Sequence, residues 1–373
     1  MLALPTLAIL ALAQDSQRAR DLGVPFDGKP GPLNAITDVA GVAVGHATVI
    51  AGPSVRTGVT AVWPRGRESS DPVFGGWFSL NGNGEMTGTA WLDESGFLDG
   101  PVLTTNTHSV GTVRDAYIRW LVNEGRRPGT NDRSTSFFVM PVVAETFDGF
   151  LNDTNGFHIT AGHTFEALTS AKGGRVAEGN VGGGTGMICF GFKGGIGTAS
   201  RVTAAGHTVG AIVQCNCGRR QQLRIGGVAV GEELGTPTAA MQPGIRDERG
   251  SIIITIATDA PLLPHQTRQL ARRASMGLAR TGSTSGNSSG DLFIAFSTAN
   301  PGAAAVKGER TLRVLPNEEM DPLFQATVEA VEESIINAMV AAQTMTGRDN
   351  RTVTALPHDR LRAILTKRGL GTR

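Results

Sequence analysis

The stretch RDERGSIIITIATDAPLLP, residues 246–264, passes from charged residues through Gly250 and Ser251 directly into an apolar run. The consecutive isoleucines leave no polar face, so we predict a strand at 252–258 that is covered on both of its faces. A hydroxyl residue at the first position of such a strand is either a boundary marker or a nucleophile at the edge of the core. On these residues alone, a Gly-Ser turn before a strand is the simpler interpretation.

Strand and helix patterns alternate along the rest of the chain. Short segments rich in β-branched or aromatic residues predict further strands at 42–44, 137–143, 208–214 and 292–297. Apolar residues at helical spacing predict helices at 110–123, 264–280, 322–345 and 358–367. Long helices that bury one face, together with a strand covered on both faces, predict helices packed outside stacked sheets.

The composition is that of a soluble globular protein with little net charge. The 373 residues are 40% hydrophobic and 18% charged, and the net charge is +1. This balance argues against a nucleic-acid partner, so we expect a small uncharged or zwitterionic one. The seven histidines do not group as ligands, and the three cysteines, Cys189, Cys215 and Cys217, contain no C-x-x-C pair. We therefore predict no metal, no disulfide framework and no cofactor, and interpret the cysteines as small buried apolar residues.

The first residues, MLALPTLAILALA, form an apolar segment that ends in small residues before Gln14. This pattern is typical of a signal peptide over residues 1–13, and the segment is shorter than the ~20 residues that a membrane span needs. We therefore expect export to the periplasm or the medium and no stable membrane insertion. No Lys or Arg precedes the apolar segment, which leaves a cytoplasmic protein with a packed N-terminal helix as the alternative.

The segment 231–250 before Ser251 contains Pro, Gly and charged residues but little periodicity, which predicts an exposed connection. Chain cleavage concentrates at exposed connections, and a cut after Gly250 makes Ser251 a chain terminus. The Ser251 hydroxyl then attacks a carbonyl while its own α-amino group, with an ordinary pKa of about 7.7 to 8.0, accepts the proton. Gly250 suits this step because it has no side chain to obstruct a strained backbone.

A second stretch, TGSTSGNSSGDLFIAFSTAN at 281–300, is dense in Ser and Gly and leads through Asp291 into an apolar strand. Hydroxyls and a carboxylate at a strand entrance predict the polar floor of a pocket. This stretch resembles the family of L-aminopeptidase/D-amidase/D-esterases and β-aminopeptidases. Three further segments share the resemblance: GNVGGGTG at 179–186, VQCNCGRR at 213–220 and RIGGVAVGEE at 224–233.

The resemblance implies an α/β fold, the layered α-β-β-α sandwich of N-terminal-nucleophile-like enzymes and of ornithine acetyltransferases. It implies one catalytic domain at 14–373 that cleaves itself into an α chain, 14–250, and a β chain, 251–373. It also implies a hydrolase that needs no cofactor and releases small L-, D- or β-amino acids from peptides, amides or esters with a free amino group. Relatives form tetramers of the cleaved pair, so a homo-oligomer is expected.

The resemblance implies roles for individual residues as well. Gly250 and Ser251 correspond to the self-cleavage site and the nucleophile, and Asn216 corresponds to the amide that stabilises the oxyanion. Ser289 and Asp291 correspond to a supporting serine and carboxylate, which orient the Ser251 amine and hydroxyl or tune their protonation. The alternative roles are a turn hydrogen bond for Ser289 and a strand-entrance cap for Asp291. The resemblance does not decide which group is the general base.

Two residues of VVAETFDG, 142–149, are candidates for substrate binding. Glu145 is an acceptor for the ammonium group of a free-amine substrate, or a solvated residue at a strand end. Phe147 stands where some relatives have Tyr, so a phenolic hydrogen bond is absent from the mechanism.

Two other functions remain as alternatives. An acyltransferase of the ornithine acetyltransferase type uses the same self-cleaved machinery, but those enzymes have Thr as the nucleophile, and Ser251 argues against them. The non-enzymatic alternative is an exported solute-binding or assembly protein whose Gly-Ser step is never cut. The glycines of 179–198 lack the strand before and the helix after that a dinucleotide-binding loop requires. We expect them at hairpin turns or at close backbone contacts around a pocket.

Overall fold

The computed structural model describes residues 17–126, 137–235 and 250–370, which form fourteen strands and seven α-helices. The strands are β1 (Ala43–Ala51), β2 (Val55–Trp63), β3 (Val73–Gly82), β4 (Phe97–Leu98), β5 (Val102–Asn106), β6 (Val142–Thr146), β7 (Ile188–Cys189), β8 (Phe192–Lys193), β9 (Gly195–Val202), β10 (Thr208–Asn216), β11 (Ser251–Thr258), β12 (Gly290–Ser297), β13 (Met345–Thr346) and β14 (Thr352–Val353). The helices are α1 (Thr89–Ser95), α2 (Val110–Asn123), α3 (Ala161–Thr169), α4 (Val230–Leu234), α5 (Pro264–Arg280), α6 (Asp321–Ala341) and α7 (His358–Lys367). None of these helices is long and apolar enough to span a bilayer. The segment predicted as a signal peptide, 1–13, and residues 236–249 of the predicted connection lie outside the described residues.

Ten of these strands form two sheets. One sheet has four strands in the order β1-β2-β5-β6, and the other has six in the order β4-β3-β12-β11-β10-β9. Most neighbours are antiparallel, but β5 pairs with β6 and β11 pairs with β12 in parallel. Because parallel neighbours need a crossover connection, each of these pairs has a helix between its strands in the chain, α2 in the first and α5 in the second.

Three apolar clusters separate four layers of secondary structure. One cluster lies between the six-stranded sheet and the helices α5 and α6, and a second lies between the two sheets. The third lies between the four-stranded sheet and the helices α2 and α3. Within β11, Ile252 and Ile254 belong to the first cluster and Ile253 belongs to the second. The predicted layered α-β-β-α sandwich is therefore confirmed, as is the strand covered on both faces.

The predicted helices agree closely with the structure, whereas two predicted strands do not. The segment predicted at 42–44 is only the start of a longer strand, β1 (Ala43–Ala51), and the second disagreement is at 137–143. The helices α2, α5 and α7 have the predicted bounds, and α6 ends earlier than predicted, at Ala341. The strand predicted at 137–143 begins only at Val142, directly after Pro141. Proline has no N–H to donate to a strand ladder, and Phe138 before it is exposed, so the prediction was wrong for this part of the segment.

A buried charge cluster joins the N-terminal segment to α6. Glu333 of α6 is fully buried and accepts two hydrogen bonds from Arg20, at 2.8 and 2.7 Å. It also lies 2.7 Å from the buried guanidinium of Arg201 and accepts the side-chain amide of Asn34 at 2.6 Å. Burial by itself raises a carboxyl pKa, but these partners hold the pKa of Glu333 below its usual range. The cluster therefore links residues that precede Ser251 in the chain to Glu333, which follows it.

Glu333→Leu is expected to lower the free energy of unfolding by about 3 to 5 kcal/mol, because it leaves the Arg201 guanidinium buried without its nearest carboxylate. The quantity is measured by urea titration at neutral pH. Asp115→Ala is the control: it removes an exposed ion pair with Arg119 on α2 and should leave the unfolding midpoint unchanged. Equal midpoints for Glu333→Leu and the wild type would contradict a stabilising role for the cluster.

Candidate active site

Ser251 is the first residue of β11 and lies between two neighbours on the adjacent strands. In the antiparallel register with β10, its partner is Asn216, the last residue of that strand. In the parallel register with β12, its partner is Gly290, whose N–H donates to Ser251 Oγ at 3.1 Å. Directly opposed residues project to the same face of a sheet. The side chains of Ser251 and Asn216 are therefore neighbours at one edge of the six-stranded sheet.

Gly250 passes the backbone of β10 so closely that only glycine fits. A Cβ atom built on Gly250 would lie 2.0 Å from the backbone oxygen of Asn216 and 2.8 Å from the Cα of Cys217. Any side chain at 250 would force these strands apart.

Ser289 and Asp291 form a buried pair at the entrance to β12. Neither residue is exposed to solvent, and Ser289 Oγ donates to Asp291 Oδ1 at 2.6 Å. The same carboxylate oxygen accepts the N–H of Ile252 at 3.2 Å. Asp291 thus caps the entrance of β11 and at the same time orients the Ser289 hydroxyl. The pair lies beside the backbone of the first residues of β11, next to Ser251.

The side-chain amide of Asn216 is held at both ends. Its Oδ1 accepts the N–H of Ile188 at 2.7 Å, and its Nδ2 donates to the backbone oxygen of Phe147 at 3.0 Å. A side-chain amide has two N–H groups, and within the described part of the chain the structure shows an acceptor for one of them. The residue is buried. A fixed amide N–H beside a serine hydroxyl is the arrangement that an oxyanion site requires.

Glu145 lies in β6 and is buried, so its interpretation as a solvated surface residue was wrong. Its carboxylate accepts the hydroxyl of Thr107 and the N–H of Glu85, the latter at 3.1 Å. Burial raises the pKa of this carboxyl above its usual value, although both hydrogen bonds lower it. A Cβ atom built on Gly84 would lie 3.1 Å from the Cα of Gly290 and 3.3 Å from Glu145 Oε1. The carboxylate therefore adjoins the start of β12.

Phe147 contributes its backbone rather than its ring to this arrangement. Its carbonyl accepts from Asn216, while its side chain is 43% exposed and carries no polar group. This carbonyl was not predicted from the sequence, nor were the N–H groups of Ile188 and Gly290 or the hydroxyl of Thr107. Backbone groups are the same at nearly every residue, so a sequence does not mark them. Thr107 directly follows β5 and lies 38 residues before Glu145 in the chain, so no local pattern links the two.

The cysteines are buried as predicted, but two of them are paired. Cys189 and Cys215 form a disulfide whose Cα atoms are 5.8 Å apart, and Cys217 is buried beside it. We predicted no disulfide because the spacing gave no framework; the pair forms because the fold brings β7 against β10. The three sulfur atoms lie within 4.8 Å of one another and are the one group of possible metal ligands of this kind in the described part of the chain. The disulfide leaves too few thiolates for a metal ion.

Comparison with known proteins gives consistent matches over almost the whole chain. The model of peptidase family S58 matches residues 34–353. The β-peptidyl aminopeptidase BapA of Sphingosinicella microcystinivorans is 52% identical over 379 residues, covering 96% of this chain and 94% of that protein.

Two solved structures are also similar to this chain. The L-aminopeptidase D-Ala-esterase/amidase from Ochrobactrum anthropi, described as a prototype for the serine aminopeptidases and a variant of the Ntn hydrolase fold, has a TM-score of 0.87 and 46% identity, covering 95% of this chain and 99% of that one. A β-aminopeptidase from Burkholderia sp. has a TM-score of 0.86 and 48% identity, covering 96% of this chain and 100% of that one. The resemblance predicted from the sequence is confirmed, and so is the N-terminal-nucleophile-like type of the sandwich.

Proposed function

The chain belongs to peptidase family S58 and is a serine aminopeptidase, a hydrolase, and on this premise we propose that Ser251 is its nucleophile, released as a chain terminus when the protein cleaves itself after Gly250. The observation that carries this proposal is the position of Ser251. It begins a buried strand, its hydroxyl accepts the N–H of Gly290, and it lies opposite Asn216, directly after a glycine that no other residue can replace.

Self-cleavage and turnover use the same hydroxyl. Ser251 Oγ adds to the carbonyl carbon of Gly250, and the C–N bond breaks as the nitrogen takes up the hydroxyl proton. The products of this step are an ester at Oγ and a free α-amino group. Water then hydrolyses the ester and releases the Gly250 carboxylate. The result is an α chain that ends at Gly250 and a β chain, 251–373, within one catalytic domain.

After the cut, the α-amino group of Ser251 is the base nearest to its own hydroxyl. The carboxylate of Asp291 favours the ammonium form of this amine and raises its pKa, whereas burial lowers it. Ser289, held by Asp291, keeps the amine and the hydroxyl in position. The remaining N–H of Asn216 donates to the oxyanion that forms when Oγ adds to the substrate carbonyl.

The substrates under this proposal are small peptides, amides or esters with a free amino group. A buried carboxylate attracts an ammonium group more strongly than an exposed one does, since water screens it less, and Glu145 adjoins the strand that supports Ser251. Two relatives are described as a β-peptidyl aminopeptidase and as an L-aminopeptidase D-Ala-esterase/amidase. Both descriptions support a site that accepts a short acyl group with an amine close to the scissile bond.

We also propose that the protein is exported and that cleaved pairs assemble into a homo-oligomer. The Cys189–Cys215 disulfide supports export, because disulfides persist in the periplasm and outside the cell and are rare in the cytosol. Size-exclusion chromatography of the cleaved protein tests the homo-oligomer. N-terminal sequencing of protein recovered from the periplasm tests export.

Ser251→Ala is expected to remain a single uncut chain and to be inactive, because the hydroxyl that attacks the Gly250 carbonyl is gone. A denaturing gel should show two fragments for the wild type, and the smaller should begin with Ser-Ile-Ile. Ser297→Ala is the control, a buried serine at the opposite end of β12, and it should still be cut. Two normal fragments from purified Ser251→Ala would refute the assignment.

Asn216→Ala is expected to lower kcat by ~100-fold or more with little change in KM, because the lost hydrogen bond forms only in the transition state. Initial rates are measured on a small amide with a free amino group, and the cut fraction is quantified by gel so that slow self-cleavage is separated from slow turnover. A normal kcat with a large rise in KM would make Asn216 a substrate-binding residue instead.

Glu145→Gln is expected to raise KM for free-amine substrates by about 10-fold or more, because it removes the charge that attracts the ammonium group. In the wild type, KM should rise as the pH falls through the raised pKa of Glu145, since the neutral carboxyl no longer attracts a cation. The glutamine variant should lack this dependence.

Exposed Glu85 supplies a control for the pH dependence. Its charge is one of the causes that raise the pKa of Glu145, so Glu85→Gln should move the change in KM to lower pH and leave KM at neutral pH unchanged. A wild-type KM that follows the same pH profile as Glu145→Gln would contradict the role of Glu145.

A further inference from the structure

Lys193 is a fully buried lysine beside the candidate active site. It is the last residue of β8, and the structure pairs it with no carboxylate among the described residues. Burial lowers the pKa of its ammonium group to about 7. An apolar side chain of similar length would fill this space without the free-energy cost of burying an amine. The mechanism proposed for Ser251 and Asn216 gives this buried amine no role.

The amine donates to three backbone carbonyls. Its Nζ lies 2.9 Å from the oxygen of Met187, 2.8 Å from that of Gly194 and 3.3 Å from that of Gly184. Three acceptors match the three N–H donors of an ammonium group. The Met187 oxygen also accepts the N–H of Gly194 at 2.9 Å, so this carbonyl is polarised by two donors.

One of these carbonyls belongs to the peptide group that holds Asn216. The C=O of Met187 and the N–H of Ile188 are two ends of one planar unit. That N–H donates to Asn216 Oδ1 at 2.7 Å. Hydrogen bonds arranged head to tail in a protein interior polarise one another. A continuous chain thus runs from the ammonium group through the peptide to the side-chain amide.

The hairpin of β7 and β8 fixes this arrangement. Ile188 and Lys193 are paired across it, which leaves Phe190 and Gly191 as its two-residue turn. Both turn residues have positive φ, 49° and 67°, as the type I′ turn of such hairpins requires. Gly191 confirms the expectation that glycines of 179–198 occupy hairpin turns. Buried Phe190 adopts this conformation against its own preference, and strain of this kind clusters at functional sites.

We propose that Lys193 is a positioning residue for the oxyanion donor: its Nζ group orients and polarises the Met187–Ile188 peptide, which orients and polarises the amide of Asn216. This inference rests on the proposed function, because it assigns Lys193 to the Asn216 step of that mechanism. Lys193 makes no contact with the substrate. Its effect appears when the substrate oxygen becomes negative, so it acts on kcat and leaves KM nearly unchanged.

A double-mutant cycle tests whether Lys193 acts through Asn216. Lys193→Met keeps the length of the side chain and removes its donors, and it should lower kcat by about 10-fold or more with little change in KM. In the Asn216→Ala background, the same substitution should have no further effect on kcat. Rates are measured on fully cleaved protein with a small free-amine amide, at the same pH for every variant.

Two more variants separate positioning from a purely structural role. Lys193→Arg retains the charge and part of the donor set, so it should recover much of the kcat that Lys193→Met loses. Phe192→Leu is the matched control, because Phe192 is the adjacent buried residue of β8 and lies outside the hydrogen-bond chain. It should lower the thermal unfolding temperature and leave kcat unchanged.

Additive losses of kcat in the double variant would overturn the Lys193 proposal and leave the proposed function intact. A loss of kcat in Phe192→Leu as large as that in Lys193→Met would do the same. An unchanged kcat in Asn216→Ala would instead remove the oxyanion role, and Lys193 would lose the group through which it acts. If Lys193→Met does not fold or is not cut, Lys193→Gln, which removes the charge but keeps a polar side chain, takes its place in the cycle and decides by the same criterion, a loss of kcat that disappears when Asn216 is absent.

Discussion

The register of β10, β11 and β12 is the constraint on which the rest of the site depends. A shift of one residue would turn Ser251 to the opposite face of the sheet and away from Asn216. The apolar pattern of β11 does not specify this register, because both faces of the strand are apolar. Polar contacts at the strand entrance specify it instead: Asp291 accepts the N–H of Ile252, and Gly290 donates to the hydroxyl of Ser251.

Burial and hydrogen bonding together prepare the site before any substrate binds. Ser251, Asn216 and Glu145 are each buried, and unpaired polar groups in such places are costly. Each makes hydrogen bonds with neighbours that hold it in one orientation, as the amide of Asn216 is held by Ile188 and Phe147. Donors that are fixed in advance stabilise developing charge without reorganisation at the moment of reaction.

The same architecture allows the chain to be cut without losing its fold. The six-stranded sheet combines β3, β4, β9 and β10, which precede Gly250, with β11 and β12, which follow it. The cluster around Glu333 adds buried ion pairs between the same two parts of the chain. The proposed cleavage after Gly250 would break one covalent bond and leave in place the strand ladder and the apolar clusters on both sides of it.

The sequence by itself determined the elements whose signals are local: the bounds of α2, α5 and α7, the buried strand after Ser251 and, through the family resemblance, the residues that meet at the site. Only the tertiary structure decided the strands β2, β3, β5 and β9, the pairing of Cys189 with Cys215 and the link from Lys193 to Asn216. Side-chain periodicity involves residues that are close together in the chain, so it can be recognised from the sequence. Strand partners, disulfide partners and backbone hydrogen bonds depend on which distant segments the fold brings together, and a backbone N–H or C=O is the same at nearly every residue.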